Sequence, residues 1–148
     1  MDEYSTIIED DTDLRSIHRH NEKYLMLGYR LLKKYGSKTH TGSTRKVFFS
    51  KRHVIKMPLD SYSEHFNVNE YHLYKSGYNK DKYARCRLIK INGINVLVME
   101  KLIIDTEIDY HLLPDWCNYL FDGRQVGYDK KGNIKIFDYA MEKIKNLA

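Results

Sequence analysis

Residues 42–58 read GSTRKVFFSKRHVIKMP, and within that run a lysine interrupts an otherwise apolar strand. Val47-Phe48-Phe49 and His53 to Met57 are both rich in β-branched or aromatic residues, and the polar turn Ser50-Lys51-Arg52 joins them. Pro58 closes the second strand because it brings no N–H to continue a ladder. Lys56 thus sits between Ile55 and Met57 in a strand with apolar neighbours on both faces. A lysine there reads plainly as a surface lysine at a strand edge.

Reading outward, apolar residues recur at helical spacing from Asp13 to Tyr35: Leu14, Ile17, Tyr24, Leu25, Leu27, Leu31 and Leu32. Thr12 or Asp13 is placed to cap this helix, and Gly36 to stop it. His18 and His20 lie two apart, so they do not share a helix face and make a poor metal pair. After Pro58 a second helix is expected over Ser61 to Lys75, stopping at Ser76-Gly77. Arg87 to Ile91 and Asn95 to Glu100 follow as a hairpin about Asn92-Gly93, a dipeptide suited to the tight turn. Pro114 precedes a helical piece to about Phe121. Tyr128 to Ala140, YDKKGNIKIFDYA, reads as a further hairpin about Lys131-Gly132-Asn133, with Asp138 at the end of its second strand. A short helix finishes the chain.

At 148 residues the chain is long enough for one domain with a real core. Hydrophobic content of 42% and charge of 30% fit a soluble globular protein. The longest apolar runs, such as Ile94 to Met99, are far too short to cross a bilayer. With no secretory leader pattern, the expected location is the cytoplasm. Cys86 and Cys117 are too few for a disulfide framework and read as buried thiols. Residues 1–13 hold six acids and no Lys or Arg, so the rest of the chain has 25 basic against 14 acidic side chains, a net +11. Residues 1–12 are therefore expected as an acidic, flexible N-terminus and 13–148 as a single domain. The basic body favours anionic ligands or nucleic acid without selecting between them.

The element series, strand–strand–helix–strand–strand followed by a helix and a hairpin, resembles the nucleotide-binding lobe of the protein-kinase-like fold. The fold class expected is accordingly α+β: an antiparallel kinase-like N-lobe sheet with its αC-type helix, an N-terminal helix, and a reduced remnant of the second lobe carrying the metal-site hairpin. GSTRKVF resembles the glycine-rich loop and the adenine-capping valine, with Gly42 and Val47 as the matching residues. HVIK resembles the V-A-I-K strand, which makes Lys56 the phosphate-binding lysine. Glu70, in NEYHLYKSG, stands where the family keeps the ion-pair partner of that lysine. INVLVMEKL resembles the strand entering the hinge, with Met99 as gatekeeper and Glu100 and Leu102 offering backbone groups to adenine. QVGYDKKGNIKIFDYA resembles the end of the catalytic loop and the D-F-G strand, placing Gln125 and Asp138 on the metal. The cofactors implied are ATP and Mg²⁺.

Every one of these residues also has a plain structural reading. Lys56 could lie on a strand edge, Glu70 on a solvated helix face, and Asp138 at a helix N-cap. The chain also departs from the family. The catalytic base is expected five residues before Gln125, at Leu120, which accepts no proton. The nearest carboxylate is Asp122, with Arg124 beside it, and Asp122 reads equally as opening a turn with Gly123. Only 21 residues separate Glu100 from Asp122 and eight follow Ala140, so no room is left for a substrate-binding helical lobe. The N-terminal helix is expected to cover the face that this loss exposes.

These departures turn the resemblance toward a pseudokinase that acts by contacting another protein, a host protein if the chain is an effector encoded by a phage or pathogen. An active minimal ATP-dependent kinase and a basic nucleic-acid-associated domain are the alternatives. The last is disfavoured because the thirteen tyrosines are spread along the chain and no groove-reading helix is evident.

Overall fold

Alternation along the strands gives the sheet two apolar faces, and helices cover both. The computed structural model describes residues 11–77 (side chains from residue 22), 81–104 and 126–139. The first ten residues of the acidic arm, the expected helical piece 114–121, Cys117, Asp122, Arg124, Gln125 and the terminal helix lie outside the described residues. The elements run α1 (Asp11–Tyr35), β1 (Thr39–Thr41), β2 (Arg45–Phe49), β3 (His53–Pro58), α2 (Glu64–Lys75), β4 (Cys86–Ile91), β5 (Ile94–Glu100), β6 (Val126–Tyr128) and β7 (Ile134–Ile136). Strands β1 to β5 form one antiparallel sheet in the order β1-β2-β3-β5-β4, and β6-β7 form a separate hairpin. The fold is α+β, as the element series implies. Among the described residues no helix is long and apolar enough to cross a membrane.

On one face of the sheet Phe48, Ile55, Met57, Ile94 and Val96 meet Tyr24, Leu27 and Leu31 of α1. The N-terminal helix is therefore a structural layer. On the other face Leu97 and Met99 meet Leu73 and Tyr74 of α2, together with Tyr83, Val126, Ile136 and Tyr139. A hydrogen-bonded link ties the two layers at one end of the sheet: Tyr24 Oη of α1 donates to the Glu64 carboxylate of α2 at 2.5 Å, and that carboxylate also accepts the Asn95 N–H at 2.7 Å.

Local chemistry explains the boundaries. Gly36, with φ +96°, ends α1 and donates its N–H to the Leu32 carbonyl. Helix α1 already includes Thr12 and Asp13, so they lie inside it and do not flank it as expected caps would. Helix α2 begins at Glu64, three residues later than expected from the pattern. The reason is Asp60, whose carboxylate accepts the Ser63 N–H at 2.8 Å and holds 60–63 in a turn. Strand β1, Thr-His-Thr, has no alternation to betray it. Among the described strands it pairs on one side only, it is largely exposed, and the Gly42 N–H donating to the Arg45 carbonyl sets its register. Asn92 and Gly93 both take positive φ, 51° and 79°, as a two-residue hairpin turn requires.

The β6-β7 hairpin is built as the sequence suggests. Asp129 accepts the Lys131 and Asn133 N–H groups at 2.9 Å each, and Gly132 supplies φ +84°. Partial burial alone would raise the Asp129 pKa, but the hydrogen bonds from Asn133 and Lys131 and the nearby Lys135 outweigh it and hold the carboxyl below its ordinary value. Two sets of backbone bonds join this hairpin to the rest. Ile103 and Tyr128 exchange N–H···O bonds at 2.8 and 2.9 Å, and Ile136 bonds to Lys82 and Ala84 at 2.8 and 2.9 Å.

Close approach at this junction depends on Gly127. A Cβ there would lie 2.8 Å from Leu102 Cβ and 2.9 Å from the Ile103 carbonyl oxygen. Both are groups that move only with the backbone. Gly127→Ala is expected to cost about 1–3 kcal/mol, the range for overpacking a filled site. The check is a lowered urea midpoint, and an unchanged midpoint would show that the junction yields freely.

Candidate functional site

The face of the sheet that carries α2 also carries the charged residues. Strand alternation puts Phe48, Ile55 and Met57 toward α1, so Lys56 points the other way, into the layer beneath α2. Its side chain is only 5% exposed. A lysine so buried requires a carboxylate, and Glu70, in the middle of α2 and fully buried, provides it. Lys56 Nζ donates to the two Glu70 carboxylate oxygens at 3.0 and 3.1 Å, and to the Phe137 carbonyl oxygen at 2.5 Å. The edge-lysine and solvated-face readings of these two residues are therefore set aside by their burial.

Two further groups converge on Glu70. Its carboxylate accepts the Tyr139 N–H at 3.3 Å and the Arg45 Nη1–H in a charge-assisted contact. Arg45 is itself nearly buried, and its guanidinium forks. Nη1 faces inward to Glu70 and to the Asn67 side-chain oxygen at 3.2 Å. Nη2 faces outward and donates to the Asp138 carboxylate at 3.1 Å. Asp138 is the open edge of the cluster, with its side chain 53% exposed. Asn67, three residues before Glu70 on the same face of α2, donates to the Lys56 and Asn95 carbonyls at 2.8 and 2.9 Å. It thereby fastens α2 to β3 and β5.

Lys56, Arg45, Glu70 and Asp138 thus form one network of two cations and two carboxylates, with formal charges that cancel. Burial pushes the Lys56 ammonium well below its ordinary value, the Arg45 guanidinium adds to that, and Asp138 opposes it. Burial also lowers Arg45, against support from Asp138 and Tyr139. An arginine starts so high that it stays charged, and the Glu70 carboxylate within 3.0 Å favours the protonated form of Lys56. Below the network Tyr139 stacks on Tyr83 with ring centroids 4.1 Å apart. Its hydroxyl donates to the Ala84 carbonyl at 2.9 Å and lies 3.3 Å from Cys86 Sγ. Burial raises the pKa of both the Tyr139 hydroxyl and the Cys86 thiol. That environment suits a packed thiol and not a reactive one.

Of the residues expected from the sequence, Lys56, Glu70 and Asp138 come together, and Val47 pairs directly opposite Lys56 in the β2-β3 register. Met99 is fully buried in the core on the same face, opposite Val54. The Glu100 carboxylate accepts from the Arg85 N–H at 3.0 Å and Arg85 Nε at 3.2 Å, and its own N–H donates to the Arg85 carbonyl. Leu102 is buried against the position of Gly127. At Gly42 a Cβ would meet only the Arg45 carbonyl oxygen, at 3.6 Å, so the turn itself does not demand glycine. Asp122 and Gln125 lie outside the described residues, as do those beyond Tyr139 that an Asp138 N-cap would serve.

Arg45, Asn67, and the backbone groups of Phe137 and Tyr139 are members that sequence reasoning did not single out. Arg45 opens β2, where Val47 and Phe49 on the same face are half-buried, so the strand pattern gave no signal for it. The described residues do not suit a divalent metal as they stand. No group of three His, Cys, Asp or Glu side chains is arranged to hold one. Glu70 is filled by Lys56, Arg45 and Tyr139, and Asp138 is engaged by Arg45.

Comparison with protein-family models, with curated proteins and with solved structures returned no match.

Proposed function

We propose that this chain is a minimal protein-kinase-like domain working as a pseudokinase, one that holds a nucleotide and acts by binding another protein. The observation that carries the reading is the buried Lys56–Glu70 pair, with the lysine on the third strand and the glutamate on the helix that follows. Protein kinases use a pair so placed to hold the nucleotide phosphates. Asp138 lends support, since an independent hairpin brings it to within reach of the same network. A lysine buried this deeply for structure alone is a costly choice, because an apolar residue of similar volume would serve packing as well or better. The engagement of Asp138 by Arg45 favours binding over catalysis, since phosphoryl transfer depends on that carboxylate being free to bring up a metal.

The test is thermal unfolding of the full chain with and without excess ATP and Mg²⁺. A ligand at 100 times its Kd adds about 2.7 kcal/mol of stability, which for a domain of this size raises the midpoint by about 5–10 °C. The wild type is expected to shift and Asp138→Ala and Lys56→Met to shift less. A wild type whose midpoint ignores ATP would end the nucleotide reading. Transfer of labelled phosphate to any protein would instead support the active-kinase alternative, and Asp122→Ala would then be expected to abolish it. A steep fall of DNA affinity with salt would support the nucleic-acid alternative.

A further inference from the structure

The water-facing side of a surface helix is ordinarily polar, and the outer side of α1 is not. Leu25 and Met26 are each 62% exposed and Tyr29 is 71% exposed, whereas Tyr24, Leu27 and Leu31 of the same helix pack on the sheet. Among the described residues, three of the six exposed large apolar side chains thus fall within five positions of one helix, which makes a patch and not scatter. Exposed Glu22 stands one turn before this patch and exposed Lys33 one turn after it. At about 100° per residue, Glu22, Met26, Tyr29 and Lys33 lie within about 60° of one another around the axis, so they form a single stripe.

Read in either direction, that stripe meets its own complement: acid, two apolar groups, base. We propose that α1 docks antiparallel on α1 of a second copy of this chain, about a two-fold axis passing between positions 27 and 28. Met26 then faces Tyr29 of the second copy and Glu22 faces its Lys33, and the two-fold repeats both contacts. The first sets a thioether against an aromatic ring, a favourable pair. The second closes the apolar centre with opposite charges at both ends, about 16 Å apart along each helix. Leu25 lies at the margin opposite Arg30, whose methylene stem covers it. A parallel arrangement would set Glu22 against Glu22 and Lys33 against Lys33, so charge selects the antiparallel one. A crossing near about 20°, ordinary for packed helices, keeps both ends of the stripe in reach. The patch is smaller than the roughly 800 Å² per partner of a standard interface, so the dimer is a weak one, with a Kd expected at about 10–200 µM. Dilute chain, at about 2 µM, is then monomeric.

Sedimentation equilibrium of the full chain without nucleotide, from about 2 to 500 µM, tests this independently of the nucleotide reading. The mass is expected to rise from that of one chain toward that of two. A mass that stays at one chain throughout overturns the proposal, as does growth beyond two copies, since a two-fold contact closes on itself. Glu22→Lys and Lys33→Glu are each expected to weaken association by about tenfold, because two attractive pairs become repulsive. Combining them restores opposite charges across the contact, and the double variant is expected to return within about threefold of the wild-type Kd. Tyr29→Glu is expected to weaken association by about tenfold or more, since it puts a charge at the apolar centre. These positions are exposed, so the variants keep the fold, and circular dichroism checks that. A dimer indifferent to the single changes, or one the double variant does not restore, uses another face or register and overturns the proposal.

Discussion

Glu70→Gln is expected to destabilise the protein by about 3–5 kcal/mol, the cost of removing one partner from a buried ion network. The substitution keeps the volume and some hydrogen bonding, so the loss isolates the charge. Glu70 is fully buried and is the common acceptor of Lys56, Arg45 and the Tyr139 N–H. Without its charge, the carboxylate left to the two nearly buried cations among the described residues is Asp138, which is half exposed and on the far side of Arg45. A loss of that size is about a fifth or more of what a typical domain has in total. Chemical unfolding would read it directly. A change below about 1 kcal/mol would mean that the network behaves as a screened surface pair. Pairing Glu70→Leu with Lys56→Met is expected to be less harmful than the sum of the single changes, because it removes opposite charges together.

The second large effect is expected far from that network. Leu27→Ala in α1 should cost about 2–5 kcal/mol, the range for emptying a packed core position. Leu27 is fully buried with Phe48, Ile55, Met57, Ile94 and Val96 around the same layer. Leu25, two residues away, is 62% exposed, and Leu25→Ala should stay within about 0.5 kcal/mol. The pair of variants compares the same chemistry on two sides of one helix. Equal effects would mean that α1 does not dock on the sheet as described, and that the sheet face it covers is closed in some other way.

Much of the fold was legible because its signals are local. Asn92-Gly93 and Lys131-Gly132-Asn133 predict their turns from backbone conformations that few residues adopt, and positive φ at Asn92, Gly93 and Gly132 agrees. Gly36 and Gly77 end the two helices for the same reason. Of the apolar residues that recur at helical spacing in α1, Tyr24, Leu27 and Leu31 are buried, whereas Leu25 is 62% exposed. The start of α2 was missed because a side chain, Asp60, competes with the helix for the Ser63 N–H. Strand β1 was missed because Thr39–Thr41 is exposed enough to need no apolar alternation.

The site divides in the same way. Lys56, Glu70 and Asp138 were marked by the resemblance to the kinase-like order of motifs, because a lysine in a strand, a glutamate on a helix and an aspartate after a strand each carry little signal alone. That they meet is a property of packing. Glu70 reaches Lys56 across 14 residues of sequence, and Arg45 reaches Asp138 across 93. Contacts of that separation follow from how α2 and the β6-β7 hairpin settle on one face of the sheet, which no local pattern encodes. Arg45 shows the difference most clearly. In the sequence it is one basic residue among 25. In the folded chain, strand alternation turns it beneath α2, burial removes the water that would otherwise solvate it, and the Glu70 and Asp138 carboxylates, with the Asn67 side-chain oxygen, take the water's place.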